Sequence, residues 1–332
     1  MNKCEYAGCK EHALTLTGFC WRHIKDKDAY LQKLSEHISA SNSIKGFYLR
    51  RLEFPYAQWQ GIDAEEADLA GAGLAEADLT AANLKKANLT GANLEKANLA
   101  SVDLEDAHLI RCNLSGARLW NAVIKDSNLA EADLQEADLL KAVFSSVKLW
   151  HTKLTDAKFI TRYSFAGRYP IDEKGLLSAS EAYRNLKQYF IANGRYDDSS
   201  WACFKERQLE RKHLFKTRSL LYFPSLIMAL LCGYGEKPSR VILSSAALVF
   251  IYSIIYAALD ILSIPPAYAE KGGFTFWDYI YFSIVTFTTV GFGDLTTKVV
   301  PLFQMLVGSE AFIGVFMMGL FVFTLARKYA AR

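Results

Sequence analysis

The sequence predicts a multi-domain chain in which a coiled array of short repeats precedes an all-helical membrane region. Three observations carry this. Residues 67–159 repeat every five positions, residues 241–264 and 302–325 are two long apolar runs, and a shorter apolar stretch between them ends in TTVGFGD. The 332-residue length allows several domains, and a net charge of +3 gives no general attraction to polyanions. Apolar residues make up 51% of the chain but concentrate in its last third. The opening MNKCEYAGCKEHA has no apolar core of a secretory leader, so the N-terminus is expected in the cytoplasm.

Three of the six cysteines cluster at the start. Cys4, Cys9, Cys20 and His23 are spaced C-x4-C-x10-C-x2-H. In a cytoplasmic segment this pattern points to a metal more than to disulfides. Zinc favours thiolate and imidazole, and four protein ligands make a closed, structural site with no open catalytic position. Gly8 and Gly18 suit the tight turns, and His12 is a substitute ligand; three reduced cysteines in a frayed tail are the alternative. So short a segment needs a metal to hold it. This module and a helical lead-in are expected to occupy residues 1–50.

From Ala67 the chain reads ADLAG AGLAE ADLTA ANLKK ANLTG ANLEK ANLAS. Of 19 positions taken every fifth residue from Leu69 to Phe159, 16 are Leu, and two residues before them 14 of 19 are Ala. A helix cannot keep a five-residue period on one face, and a flat strand alternates every two; a turn in every repeat makes a coil. The motif A-[DN]-L-x-x resembles the pentapeptide-repeat family. That resemblance implies a right-handed quadrilateral β-helix over residues 51–165, four repeats per coil, with the Leu and the small residue pointing inward. Residues 54–66 are expected to add an irregular capping coil. Between 62 and 160 there are 16 acidic and 10 basic residues, a net of 10 − 16 = −6, which solvated faces explain as well as mimicry of DNA does. The reading is a scaffold or interaction spacer without catalytic residues.

Gly and Pro in AGRYPIDEKG (166–175) break the repeat. A helical hairpin is expected over 166–218, its first helix opened by a capping box from Ser178 to Glu181 and closed at Gly194. The second helix carries Lys205, Arg207, Arg211, Lys212, Lys216 and Arg218, placed to meet anionic headgroups beside a membrane; nucleic acid is not the expected partner. Residues 219–232, interrupted by Pro224, are too short to span and are expected to lie along the interface, within a segment 219–238.

The two apolar runs are each long enough to cross about 30 Å of hydrocarbon. Lys237 and Arg240 precede the first, and Arg327, Lys328 and Arg332 follow the second, so both termini should be cytoplasmic. Between them, residues 275–287 form a helix too short to span, returning through TTVGFGD. Backbone carbonyls left unpaired at that depth are tolerated only along a water- or ion-filled path.

TVGFGD in this setting resembles the two-transmembrane potassium-channel pore, over about residues 241–327 of an expected pore domain 239–332. The resemblance implies a re-entrant pore helix and a filter at 288–294 in a homotetramer. Carbonyls of Thr289, Val290, Gly291 and Phe292, plus the Thr289 hydroxyl, with Gly293 beside them, would replace the hydration of K⁺. Thr288, Asp294, Tyr281, Phe282 and Val285 would support them. Three departures stand out: Phe292 replaces the usual Tyr, Phe282 and Tyr281 replace two usual Trp, and Val285 replaces a Glu found in some relatives. A filter braced by apolar contact, with Tyr281 still able to bond Asp294, is the expectation. In the second run Gly314 lies near a hinge position, with close helix packing as the alternative, and Gly308 is a further gating candidate. Glu310 is a functional candidate because it is an acid inside a span; being protonated, accepting a bond from the pore helix and bordering a cavity are the roles left open.

The expected function is passive K⁺ conduction across the inner or plasma membrane of a prokaryote, with Zn²⁺ structural and the N-terminal assembly regulating the pore or docking a protein partner. The competing reading is a membrane-tethered repeat scaffold whose pore conducts weakly or without selectivity. No nucleophile–base pair or phosphate loop suggests an enzyme.

Overall fold

The computed structural model describes residues 3–165, 171, 175–263 and 273–329. The chain divides into two compact units, Met1–His213 and Leu214–Arg332.

In the first unit, parallel bridges join residues 20 apart, from Ser43 with Asp63 through Asp138 with Lys158, so one coil takes four five-residue repeats. Where Val123 and Ile124 lie opposite Val143 and Phe144 the bridges lengthen into strands, β1 (Val123–Lys125) beside β2 (Val143–Ser145). Most repeats turn in the same way. The Ala87 N–H donates to the Leu84 carbonyl at 3.1 Å, and Lys86, third in that turn, has φ +55°. A left-handed residue recurs every five positions, where glycine costs least. Gly71, Gly91 and Gly116 use that freedom, but Glu, Lys and Asp fill most of the series.

The inward Leu series is buried from Leu69 to Leu154, with the small residues beside it. Where that small residue is polar its hydroxyl is used: Ser127 donates to the Leu104 carbonyl at 2.6 Å and Thr152 to the Leu129 carbonyl at 2.8 Å. The Asp or Asn between them faces out. Asn83 donates to Asp63 at 2.9 Å and Asn113 to Asn93 at 3.0 Å, and the Oδ1 atoms of Asn83 and Asn113 accept the N–H two residues on. This explains the A-[DN]-L motif: a small residue that fits, a side chain that laddles neighbouring coils together, and an apolar residue that fills the interior.

Two expectations about the repeat are corrected. The coil begins at Ser43, ahead of the expected residue 51, with Ile44, Leu49, Leu52 and Trp59 buried; bulkier residues there hide the Ala/Leu signature. Phe159 does not face inward but is 52% exposed with φ +63°, and Ile160 is buried in its stead. Ala157, by contrast, keeps its place, and its carbonyl accepts from Tyr189 at 2.7 Å. Helix α1 (Lys27–Ser41) and the cysteine segment share one core with the first coil, tied by Tyr48 N–H to Thr15 Oγ1 at 2.8 Å. Helix α2 (Leu176–Ala192) packs at the other end, where Trp150 donates to Glu181 at 2.7 Å. Both exposed edges of the coil are thereby covered.

The capping box at Ser178 is not formed. Helix α2 starts two residues earlier, with Gly175 as N-cap and no side-chain cap, so Ser178 lies in its first turn. Most of AGRYPIDEKG lies outside the described residues. Helix α3 (Tyr196–Lys216) follows, and its Glu206 side chain, 3% exposed, receives Arg184 at 2.7 Å and Lys187 at 2.8 Å from α2. Two of the acidic side chains among the basic run are thus engaged, since Glu210 also pairs with Arg207 at 2.9 Å.

In the second unit, α4 (Tyr222–Cys232) is uninterrupted, because Pro224 falls in its first turn, where a missing N–H has no helical partner to lose. Helix α5 (Pro238–Leu259) is shorter than the expected 241–264: Asp260 takes φ +45° and ends it, and Leu262–Ser263 form β3. Helix α6 spans Phe276–Phe287 and α7 spans Pro301–Tyr329. Strand β4 (Thr296–Thr297) pairs antiparallel with β3. Helices α5 and α7 are long and apolar enough to cross a membrane, and most of their residues are unburied within the unit.

Candidate functional site

Helix α6 starts where Thr275 presents its N–H and hydroxyl to the Asp278 carboxylate, both at 2.7 Å. This capping pair sets the helix start one residue beyond a Gly-containing loop. The helix ends at Phe287, and Val290 N–H reaches back to the Val285 carbonyl at 3.1 Å. Beyond that the chain leaves regular structure. The φ angle alternates in sign: Thr289 +56°, Gly291 +58° and Gly293 +80°, with Val290 and Phe292 between them on the negative side. A positive φ at threonine is uncommon and signals a constrained backbone. Among the described residues no hydrogen bond is made to the carbonyls of Thr289 through Gly293. The Thr289 hydroxyl donates to the Thr288 carbonyl at 2.7 Å.

The supporting residues divide into two groups. Tyr281 donates to Asp294 at 2.8 Å, joining helix and return segment. Phe282 is buried against Tyr256 (ring centroids 5.6 Å) and Leu295, whereas Phe292 is 69% exposed, so one chain does not bring Phe282 and Phe292 together. Val285 is buried, and its carbonyl accepts from the Val290 N–H of the return segment. A second clamp was not legible in the sequence. Lys298 donates to the Asp260 carboxylate at 2.6 Å and Tyr279 to its other oxygen at 2.8 Å, fastening the end of α5 to α6 and β4. Nothing in the spacing of these three residues signals the contact.

On α7, Glu310 is fully buried and bonded to Tyr256 at 2.5 Å and to Ser283. A Cβ at Gly314 would collide with the Phe287 carbonyl, while Gly308 and Gly319 meet nothing within 4 Å. Helix α7 runs unbroken through all three glycines.

The N-terminal cluster is assembled. One ligand atom each of Cys4, Cys9, Cys20 and His23 lies within 4.8 Å of all the others. Cys9 and Cys20 sulfurs are 3.9 Å apart, and His23 Nδ1 is 3.6 Å from Cys4 and 3.2 Å from Cys20. Sulfurs bound at about 2.3 Å around a tetrahedral zinc stand about 3.8 Å apart, so the spacing fits. Burial pushes the Cys4 thiol up, but N–H groups of Cys20 and Tyr6 and the side chains of His23 and Cys20 outweigh it and hold it at about 6. Burial and the neighbouring Cys4 push Cys20 up to about 12. Without a cation one thiolate suppresses the next, which is the electrostatic demand a divalent ion meets. Tyr6 stacks on His23 at 4.0 Å. His12 is not in this group; it packs edge-on to Tyr48.

Residues 241–331 match the sequence model of the ion channel family, and residues 56–85, 87–126 and 122–159 match pentapeptide repeats. The chain joins a pentapeptide-repeat segment to an ion-channel domain. Similar solved structures include Rfr23, a pentapeptide repeat protein from the cyanobacterium Cyanothece 51142, at 22% identity over 37% of this chain and 98% of that one, TM-score 0.24. HetL from Nostoc sp. PCC 7120 is 24% identical over 38% of this chain and 70% of its own, TM-score 0.22. No curated protein matches the chain. The ion-channel domain contains both apolar helices, α6 and the TTVGFGD segment, and together these point to a membrane location.

Proposed function

We propose that the ion-channel domain conducts K⁺ selectively as a homotetramer, with Thr288–Asp294 as its filter. The observation that carries this is the backbone of Thr289–Gly293: φ alternates in sign and the carbonyls are unbonded within the chain. In a regular strand successive carbonyls point to opposite sides; alternation of left- and right-handed residues turns them to one side. A row of such oxygens can replace the hydration shell of a cation, which is how carbonyl filters select. The C-terminal end of α6 leads into this row and adds negative potential to it. One chain supplies one wall, so four copies complete the ring. Phe292, exposed in the single chain, is the side chain best placed to be covered by a neighbouring copy.

Cys4, Cys9, Cys20 and His23 hold a structural Zn²⁺ in this proposal, locking the segment that covers the first coil. The basic face of α3 meets anionic headgroups, both termini are cytoplasmic, and the right-handed quadrilateral coil docks a protein partner or biases the gate. The test is flux from liposomes containing the purified full chain, with K⁺, Na⁺ and impermeant cations compared. K⁺ passage without Na⁺ supports the proposal; equal passage of the two contradicts selectivity, and no passage from a confirmed tetramer contradicts conduction.

A further inference from the structure

An acid buried in an apolar helix is costly unless both its oxygens are engaged. Glu310 meets that condition with partners from two other helices. The Tyr256 hydroxyl of α5 donates to Oε2 at 2.5 Å, and Ser283 of α6 is bonded to Oε1. Ser283 also reaches the Val249 carbonyl of α5 at 3.0 Å, where Ser253 donates at 2.7 Å. One polar knot therefore joins α5, α6 and α7.

A second contact lies one turn away. Gly314 is four residues after Glu310, and Phe287, whose carbonyl it abuts, is four residues after Ser283. Residues four apart share a helix face, so the pairs 310/283 and 314/287 are two rungs between facing stripes of α7 and α6. The second rung ends on the last residue of α6, immediately before Thr288. The first is directional, because hydrogen bonds weaken steeply as they are misaligned. The apolar side chains of α6, Phe282 and Val285, supply no such direction, and Tyr281 with Asp294 fastens only the outer end.

We propose that Glu310 is the positioning residue of the filter: through Ser283 and Tyr256 it fixes α6 against α7 and α5, so that displacement of α7 is transmitted to Thr288–Asp294. This rests on the pore reading above. The competing role is space-filling, in which Glu310 only helps the unit fold.

The test uses single-channel recording of the full-length protein in bilayers, with wild type, E310Q, E310M and S283A. Glutamine keeps an oxygen for Tyr256 and offers an N–H to Ser283; methionine keeps the volume and loses both bonds. Loss of buried hydrogen bonds of this kind changes an equilibrium roughly tenfold or more. E310M is expected to assemble as a tetramer yet change open probability or the K⁺/Na⁺ permeability ratio at least about tenfold. E310Q is expected to stay within about threefold of wild type, and S283A combined with E310M to be no worse than E310M alone, since one link is removed in both. An E310M that conducts like wild type, an E310Q as impaired as E310M, or additive losses in the double variant would overturn the proposal. Should E310M fail to assemble, S283A decides alone: altered gating or selectivity supports the proposal and wild-type behaviour overturns it. Absence of conduction in wild type is a different result, which defeats the pore reading itself.

Discussion

At the scale of single residues, the most demanding position in the ion-channel domain is Gly314. An alanine there has to displace the Phe287 carbonyl, whereas Gly308 and Gly319 face open space within the chain. Gly314→Ala should cost about 1–3 kcal/mol, the usual penalty for overpacking a tight contact. Gly308→Ala should be tolerated, because Ala is the better helix former. Heating the detergent-solubilised tetramer and following its dissociation would compare them; equal loss from both would sink the packing account of Gly314. The cysteine cluster gives a second residue-level prediction. Cys20→Ser should reduce bound zinc from one ion per chain to none, read by elemental analysis. The same variant should lose the early, chelator-sensitive step of thermal unfolding. Retention of a full complement of zinc would show that Cys20 is not a ligand.

At the scale of elements, the coil is an interior of stacked Leu and Ala, and its tolerance should follow that geometry. Leu99→Ala removes a fully buried side chain and should cost about 2–5 kcal/mol. Phe159→Ala, at an exposed end of the repeat, should change stability by less than about 0.5 kcal/mol. Comparable losses in chemical denaturation would contradict the corrected register. The pair α2 and α3 carries a pH dependence. Burial pushes the Glu206 carboxyl up, but Lys187 and Arg184 outweigh it and hold it below its ordinary value of 4.5. A lowered folded-state pKa gives stability that is present above the unfolded value and lost as pH falls through the folded one. The wild type should therefore weaken below about pH 4.5, and Glu206→Gln should flatten that acid limb while lowering stability at pH 7. An unchanged acid limb in Glu206→Gln would rule out this origin.

At the scale of the whole molecule, the parts most readable in the sequence were those with a period or a closed spacing. The Leu and Ala series announced the coil because every repeat meets the same steric demand, and Cys4, Cys9, Cys20 and His23 were identifiable because metal geometry restricts spacing. The coil's first turns were hidden because Leu49, Leu52 and Trp59 fill the interior without the small-residue signature. The left-handed position in each repeat was hidden because Lys and Glu occupy it as readily as Gly does here. Within the ion-channel domain the lengths of helices and the TTVGFGD segment were legible. The clamps were not: Lys298 with Asp260, and Glu310 with Ser283 and Tyr256, depend on residues 27 to 54 positions apart meeting in space. Glu310 stood out as an acid in an apolar run, but nothing local chose among its possible roles or named Ser283 and Tyr256 as its partners.

The proposal at this scale is that a cytoplasmic repeat assembly and a potassium-selective pore act in one chain. The measurement that tests its central claim most directly is the reversal potential of the full-length protein in a planar bilayer, with K⁺ on one side and Na⁺ on the other. A carbonyl filter built from Thr289–Gly293 predicts a reversal potential displaced far toward the K⁺ equilibrium value. A reversal potential near zero, with currents carried equally by both ions, would contradict it.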